Sequence, residues 1–205
     1  MKKVCIIDFG LGNLSSVYHA LYNLNTLVKI SSLRNDIINS SHLVLPGVGN
    51  FKAGIEGLEE KELIPLIKNE VLIKKKPILG ICLGMQLFCN FSEEYKEKSG
   101  LNLIEANLLK ISNKNKEFKV PHIGWNEIEF SEKSLLFKKI KKDTSFYFVH
   151  SYHLVPKDYS IVNGTCFHGE KIVVSIEKNN IFGTQFHPEK SGDAGMQLLA
   201  NFLKI

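Results

Sequence analysis

The first half of the chain alternates short apolar runs with helix-like segments, and this alternation restricts the folds that the chain can adopt. Three apolar runs are typical of buried strands, at residues 4–9, 41–49 and 77–81. Residues 13–24 and 53–76 lie between them with apolar residues at helical spacing, and the second of these segments is interrupted near Pro65. Parallel strands require crossover connections of this kind. The sequence therefore predicts an α/β fold in which helices cover both faces of a mostly parallel central sheet.

The second half of the chain has a different pattern. Its apolar residues fall in short, turn-punctuated runs, which predict antiparallel strands beside the central sheet. The sequence EKNN at 177–180 predicts a hairpin turn, and residues 193–203 predict a last amphipathic helix. A helix is also predicted over residues 85–91. No linker or change of composition divides the chain, so we expect a single domain over residues 1–205.

Charge and hydropathy exclude two classes of function. The chain has 26 Lys and Arg against 21 Asp and Glu, and its formal net charge is +5. Arg34 is the single arginine, and no basic stripe carries interleaved aromatic residues. We therefore expect no nucleic-acid partner, because solvated faces or an acidic partner explain scattered lysines better. No apolar run approaches ~18 residues, so we expect no membrane span.

The cysteines show no paired spacing of the kind that binds metals; they are Cys5, Cys82, Cys89 and Cys166. Cys5 and Cys166 fall in strand-like runs, and Cys89 falls among apolar residues. We interpret these three as core residues. A reduced, cytoplasmic chain without a metal or another cofactor fits this pattern.

Cys82 is different because it lies between two glycines in the sequence GICLG, residues 80–84. A nucleophile at a strand-to-helix turn sits on a strained elbow, and glycines two residues to either side leave room for a close backbone approach. Such a side chain points to the carboxyl edge of the sheet, where ligands bind. The N–H groups that begin the next helix favour a thiolate. On these residues alone, Cys82 is either a nucleophile or a buried cysteine in a glycine-rich turn.

A thiol nucleophile requires a general base, and the base requires a carboxylate that orients it. The sequence FHPE has His187 and Glu189 two residues apart, with Pro188 stiffening the extended segment that we expect there. A second pair, His168 and Glu170, surrounds a glycine typical of a hairpin turn, where both side chains would be solvated. These considerations favour the first pair without excluding the second. Further candidates for the base are His150 and His153.

Residues 45–51, LPGVGNF, form the third candidate element. A strand leads there into a tight loop with two glycines, which can aim backbone N–H groups at a developing oxyanion. An ordinary connection between a strand and a helix has the same composition, so this loop decides nothing by itself.

Taken together, PGVG, GICLGMQ and FHPE resemble the class I, triad-type glutamine amidotransferases in their order and approximate spacing. The resemblance spans nearly the whole chain. It implies a flavodoxin-like α/β fold and hydrolysis of L-glutamine through a cysteine thioester, with delivery of ammonia to a synthase. It also implies that Cys82 is the nucleophile, His187 the base and Glu189 the orienting carboxylate.

The same resemblance implies roles for residues around this triad. The oxyanion hole would be formed by the backbone N–H groups of Val48 and Leu83. The glutamine substrate would be held in a site that includes Gly47, Gly49, Gln86, Ser151 and Tyr152.

Two more stretches narrow the resemblance. IIDFGLGNLSSV (6–17) and VPHIGWNEI (120–128) are similar to the glutaminase subunits of imidazole glycerol phosphate synthases, which act in histidine biosynthesis. In those enzymes the glutaminase forms a heterodimer with a barrel-shaped cyclase subunit, through which ammonia passes. The resemblance implies a face on which the cyclase docks, made of Asn13, Trp125, Asn126, Tyr152 and Lys190. Trp125 is the single tryptophan of the chain, and it could instead fill the core.

The chain departs from this subfamily in two places, since the family often has Tyr where Phe9 stands and a basic residue where Ser15 stands. Neither departure touches the three motifs. A paralogous subunit that feeds a cyclase-like synthase and amidates surface sugars would carry much the same motifs, and it is the alternative function. A regulatory subunit without turnover fits less well because the triad is complete. A thiol peptidase fits less well because of GMQ and PHIGWN.

Overall fold

A large β-sheet forms the centre of the computed structural model, which describes residues 1–112 and 118–205. The strands within these residues are β1 (Lys3–Ile7), β2 (Leu27–Ser31), β3 (His42–Gly47), β4 (Ile78–Cys82), β5 (Phe91–Ser92), β6 (Ala106–Lys110), β7 (His122–Glu127), β8 (Glu129–Phe130), β9 (Ser145–His150), β10 (Tyr152–Pro156), β11 (Val162–Phe167), β12 (Lys171–Lys178) and β13 (Ile181–Thr184). One part of the sheet has the order β2-β1-β3-β4-β13, and all of its pairs are parallel. The predicted parallel centre is therefore confirmed.

Strands of the second half extend the sheet with antiparallel pairs. β12 is antiparallel to β13, β10 and β11, and β10 is antiparallel to β6. The short β5 ends the sheet and is parallel to β6. β8 pairs with β11. β7 and β9 form a separate antiparallel ribbon. The predicted antiparallel addition is thus confirmed, and so is the hairpin turn, because Lys178 pairs with Ile181 across it.

Helices cover both faces of the sheet, as predicted. They are α1 (Leu14–Tyr22), α2 (Arg34–Asn39), α3 (Phe51–Glu60), α4 (Leu63–Lys68), α5 (Leu83–Gln86) and α6 (Gly192–Phe202), with a π-helical turn at Asn69–Ile73 and 3-10 turns at Tyr159–Ile161 and Pro188–Lys190. Alternate residues of β1 define the two faces. Cys5 and Ile7 pack in a buried cluster with residues of α3 and α4, whereas Val4 and Ile6 pack in a second cluster with residues of α1 and α6.

The helix predicted over residues 85–91 is wrong. α5 ends at Gln86, and Phe91 already begins β5. The carbonyl groups of Leu87 and Cys89 accept hydrogen bonds from the N–H groups of residues 101 and 102, so they are not available to a continuing helix. Cys89 is nevertheless completely buried, as predicted for a core residue.

The long helix predicted over residues 53–76 is divided between α3, α4 and the π-helical turn, and its break precedes Pro65. The proline lies in the first turn of α4, where its missing N–H group costs no helical hydrogen bond. Several short elements carried no periodic signal, among them β2, α2 and β6. None of the described helices combines the length and apolar character needed to cross a bilayer.

Candidate active site

Cys82 is the last residue of β4, and its backbone is strained. Its φ is +54° and its ψ is −111°, a combination outside the regions that residues with a Cβ favour. α5 begins at the next residue, so the chain changes from strand to helix at the thiol. The strained turn predicted from GICLG is present.

Gly80 and Gly84 permit this turn because a side chain at either position would overlap backbone atoms. A Cβ on Gly84 would lie 1.6 Å from the carbonyl oxygen of Leu45, and a Cβ on Gly80 would lie 2.7 Å from the backbone nitrogen of Met85. α5 therefore meets both β3 and β4 at distances that only glycine allows. This close packing holds Cys82 at the carboxyl edge of the parallel strands.

The sulfur of Cys82 lies between two polar groups. It donates to the carbonyl oxygen of Val149 over 3.8 Å and accepts from Nε2 of Gln185 over 3.6 Å. Sequence reasoning missed both contacts. The one available signal for Gln185 is its position two residues before His187, since side chains two apart on an extended segment share a face.

His187 and Glu189 form a buried pair. Nδ1 of His187 lies 2.8 Å from Oε1 of Glu189, and the two side chains are 2% and 1% exposed. The backbone N–H group of His187 donates to the backbone carbonyl of Tyr147, and the Ser191 hydroxyl donates to the backbone carbonyl of His187. The extended segment predicted here is wrong after His187, because residues 188–190 form a 3-10 turn. This turn, and not strand alternation, brings the carboxylate to the ring.

The charge of His187 reflects opposing effects. Burial disfavours the imidazolium, but the interactions of the ring with Cys82 and Glu189 outweigh burial and raise the pKa of His187 to about 10. The ring therefore carries a proton at neutral pH. Its Nε2 is buried without a hydrogen-bond partner among the described residues. The distance between this nitrogen and the Cys82 sulfur is therefore longer than that of a formed hydrogen bond. A buried donor is rarely left unpaired, and this one is available to a ligand at the thiol.

The second H-x-E pair does not form such a unit. Nε2 of His168 lies 2.8 Å from the carbonyl oxygen of Lys119, and Oε1 of Glu170 accepts a hydrogen bond from the N–H group of Ser112. The carboxylate of Glu170 is therefore directed away from its histidine. Gly169 has a φ of +76° between β11 and β12, as expected for a hairpin turn.

A cavity of about 300 Å³ opens beside Cys82, a volume within the range of small-molecule sites. Gly47 lies behind the cavity wall, where a Cβ would approach the Leu83 side chain to 2.9 Å. Sequence reasoning missed Glu94 and Pro121, which also line the cavity. The structure brings most of the predicted binding residues together around it; these are Val48, Gly49, Leu83, Gln86, Ser151 and Tyr152.

Gln86 uses its amide group within the protein. Its Nε2 donates to the carbonyl oxygen of Tyr152 over 3.0 Å and to Oε1 of Gln185 over 2.9 Å. These two bonds occupy both amide hydrogens. Any contact of Gln86 with a ligand is therefore made through its carbonyl oxygen, which only accepts.

Comparison with known proteins assigns this arrangement to a family. Residues 5–205 match the family described as glutamine amidotransferase class-I. The chain belongs to this family. The resemblance predicted from PGVG, GICLGMQ and FHPE is confirmed, and with it the glutamine amidotransferase activity that the family name describes.

Curated relatives in the amidotransferase family support the narrower resemblance. "Imidazole glycerol phosphate synthase subunit HisH" of Pelagibacter ubique is 41% identical over 207 residues, covering 99% of this chain and 100% of that protein. The subunit of the same name from Moorella thermoacetica is 42% identical over 202 residues, covering 98% and 94% of the two chains. The predicted similarity to this subfamily is therefore confirmed.

Solved structures show the amidotransferase fold at low sequence identity. A chain of PurLQS from Thermotoga maritima aligns with a TM-score of 0.73 and 19% identity, covering 100% of this chain and 99% of that one. A glutamine amidotransferase from the same organism aligns with a TM-score of 0.65 and 20% identity, covering 92% and 76%. The predicted fold class is confirmed.

In this amidotransferase a chain of hydrogen bonds connects the β7–β9 ribbon to the cavity. Asn126 Nδ2 donates to Nε2 of His122, whose Nδ1 lies 2.9 Å from Nε2 of His150. Nδ1 of His150 in turn contacts the carbonyl oxygen of Tyr152. Because that oxygen only accepts, each ring carries its proton on Nδ1 and both rings are neutral. No described group of three or more His, Cys, Asp and Glu side chains is arranged to hold a metal ion.

These neutral histidines predict a loss of stability in acid. Burial lowers the pKa of His122 to about 4, with a further contribution from His168. Burial also lowers the pKa of His150 to about 3, against the effect of its bond to Tyr152. The unfolded chain therefore binds protons at a higher pH than the folded chain. The stability that these two neutral rings contribute is fully present above pH ~6.5 and falls as the pH decreases from there to ~4, by up to about 1.4 kcal/mol per pH unit for each histidine.

Urea denaturation between pH 4 and pH 8 measures this loss. His122→Gln is expected to reduce the slope of unfolding free energy against pH by about one proton. His19→Gln is the matched control, because His19 is exposed on α1 and lies outside this chain of hydrogen bonds. Equal slopes for the parent and His122→Gln would contradict the neutral assignment. Buried His42 and His153 add to the parent slope in the same direction.

The predicted docking residues lie on or next to the ribbon, with one exception. Trp125 is 59% exposed, so it does not fill the core. Its ring meets Tyr147 edge-on at 6.1 Å, and Nζ of Lys190 lies 5.7 Å from the centre of the same Tyr147 ring. Tyr147 therefore lies next to two of the predicted docking residues, and it was not among the residues predicted from the sequence. Asn13 instead caps the N-terminus of α1, where its side chain accepts from the N–H group of Ser16.

Proposed function

We propose that this chain is the glutaminase subunit of an imidazole glycerol phosphate synthase. As a single domain over residues 1–205, it would hydrolyse L-glutamine to glutamate and ammonia and supply the ammonia to a cyclase subunit in histidine biosynthesis. The observation that carries this proposal is the buried His187–Glu189 pair beside Cys82 on its strained turn. The two HisH relatives, similar over almost their full length, support the choice of pathway.

In the first half-reaction the Cys82 thiolate attacks the side-chain amide carbon of glutamine. The carbon–nitrogen bond breaks as Nε2 of His187 gives its proton to the departing nitrogen, so ammonia leaves and a thioester remains. Support for this role is that Nε2 is protonated, buried and unpartnered. Glu189 holds the ring through Nδ1 and balances its charge.

In the second half-reaction a water molecule attacks the thioester carbon. The neutral His187 takes one proton of that water, the carbon–sulfur bond breaks, and glutamate leaves the regenerated Cys82 thiolate. The proposed oxyanion hole uses the N–H groups of Val48 and Leu83, both at the cavity. Donors of this kind are each worth roughly 10²–10³ in rate.

The proposed partner surface is the exposed part of the β7–β9 ribbon together with Lys190, Tyr152 and Asn13. Trp125 supports this assignment, because it is exposed beside Tyr147 and both residue types are enriched among interface anchors. The ribbon also carries Val149, whose carbonyl contacts the Cys82 sulfur. Docking there can therefore change the surroundings of the nucleophile.

We expect glutamine hydrolysis to depend on the partner. Glutamate release is measured while the cyclase subunit and its nucleotide substrate are titrated into this chain. The isolated chain should be nearly inactive, and activity should rise to saturation by about 10²–10³ if docking completes the oxyanion hole. Trp125→Ala should raise the half-saturating cyclase concentration at least about tenfold, as loss of an interface anchor does.

Tyr159→Ala is the matched control, because Tyr159 is 62% exposed and lies beyond the far end of β10. It should leave the half-saturating concentration unchanged. Full activity without the cyclase would contradict the proposed coupling. Equal effects of the two substitutions would contradict the proposed surface.

A further inference from the structure

Gln185 is a completely buried amide that touches the proposed nucleophile. Its Nε2 lies 3.6 Å from the Cys82 sulfur, its Oε1 accepts from Gln86 over 2.9 Å, and its backbone N–H group donates to the Val174 carbonyl over 2.8 Å. The side chain is therefore held at both ends. None of the roles proposed above uses it.

The direction of these bonds follows from one backbone carbonyl. The oxygen of Tyr152 can only accept, so the atom of Gln86 that faces it must be Nε2. The second hydrogen of that nitrogen is directed at Gln185, so the atom that receives it must be Oε1. Nε2 of Gln185 is then left to face the sulfur. The orientation of both amides is thus determined by a group that cannot be reversed.

A donor in this position is matched to an ionised sulfur. A neutral thiol is a weak acceptor, so burying an amide N–H group against it is poorly compensated. A thiolate is a strong acceptor, and bonds to ionised groups are the stronger ones. The Val149 carbonyl on the other side of the sulfur has the opposite effect, because it accepts from the thiol and would repel a thiolate.

We propose that Gln185 is a positioning residue that holds the Cys82 sulfur in place and favours its thiolate form. This rests on the proposed function, in which Cys82 is the nucleophile. Gln86 supports Gln185 from behind, so the amide pair connects the Tyr152 carbonyl to the sulfur. Other ionisable groups at the sulfur and its cavity are His187 with its Glu189, His150, Glu94 and Tyr152, and burial raises the pKa of the Tyr152 phenol above its usual range.

The pH dependence of Cys82 alkylation tests this role. The full chain is treated with iodoacetamide from pH 5 to pH 10, and single labelling is followed by intact mass. Cys82 lines the cavity, whereas burial raises the pKa of Cys5 to about 11 and of Cys89 and Cys166 to about 12, so labelling reports on Cys82. Gln185→Met removes the donor, and the midpoint of alkylation should move up by about one pH unit.

A second variant distinguishes the effect of losing the N–H donor from the effect of altered packing. Gln185→Glu has the shape of the parent and can still accept from Gln86, but it places a carboxylate oxygen at the sulfur. Its midpoint should move upward further than that of Gln185→Met. A merely structural role would change the amount of folded protein without producing this order. Gln197→Met on α6 is the matched control and should keep the parent midpoint.

Midpoints of both variants within about 0.2 pH units of the parent would overturn the proposal. The Glu variant keeps the test available if the Met variant does not fold. Alkylation requires no turnover, so this result is independent of whether the chain proves to be a glutaminase. In the assembled complex, Gln185→Met should also lower glutamate release about tenfold at pH 7 and less at pH 9.

Discussion

Replacing Cys82 by serine should lower partner-stimulated glutamate release by at least about a thousandfold, as loss of a nucleophile does in other triad enzymes. A hydroxyl ionises far less readily than a thiol, so the variant lacks a strong nucleophile at the amide carbon. The substitution changes one atom in the cavity wall. Cyclase binding and the urea midpoint of unfolding should therefore stay close to those of the parent.

Cys89→Ser is the matched control for this result. Cys89 is also buried, and its thiol donates to the carbonyl oxygen of Phe91 over 3.1 Å. The same atom is exchanged there, so stability can change, but glutamate release per folded molecule should not. If Cys82→Ser kept the full partner-stimulated activity, the proposed thioester mechanism would be contradicted. A cysteine-directed glutamine analogue should label the parent complex once and the serine variant not at all.

Gly84→Ala should have the largest effect on stability of any single methyl group added to the active-site turn. Its Cβ would lie 1.6 Å from the Leu45 carbonyl oxygen, a backbone atom in the middle of β3. Either the turn or the parallel pairing of β3 with β4 must move. We expect a loss of at least about 4 kcal/mol in the free energy of unfolding, which is the range of severe core disruption.

Gly192→Ala separates this clash from backbone strain. Gly192 has a φ of +58°, but nothing lies within 4 Å of its Cβ position. The left-handed conformation alone should cost about 1–2 kcal/mol. Urea denaturation of both variants measures the difference, and soluble yield in parallel expression replaces it if Gly84→Ala does not fold. Equal urea midpoints for Gly84→Ala and the parent would contradict the close approach.

The periodic elements of the fold could be predicted from the sequence because their burial is regular. The strands β1, β3 and β4 are continuous apolar runs, as expected where both faces are covered. β2 was not predicted, because it lies at the edge of the sheet and three of its five residues are exposed. The helix predicted after Met85 failed because tertiary hydrogen bonds from residues 101 and 102 compete for its carbonyl groups.

The candidate site could be predicted in part. The glycines around Cys82 and the pairing of His187 with Glu189 are local, so their spacing in the sequence carries the information. Spacing alone could not decide whether His187 or His168 is the candidate general base. It is decided by where each carboxylate points, and Glu170 is directed to the backbone of Ser112.

By itself, the sequence determined the α/β class, the strained turn at Cys82, the family and the triad residues to propose, because each depends on a short motif or a regular period. Only the tertiary structure decided what surrounds the sulfur. Val149 is 67 residues from Cys82 in the chain, Gln185 is 103 residues from it, and Tyr152 is 66 residues from Gln86. Their contacts depend on strand register and on the direction of single hydrogen bonds, and a linear pattern of residue types encodes neither.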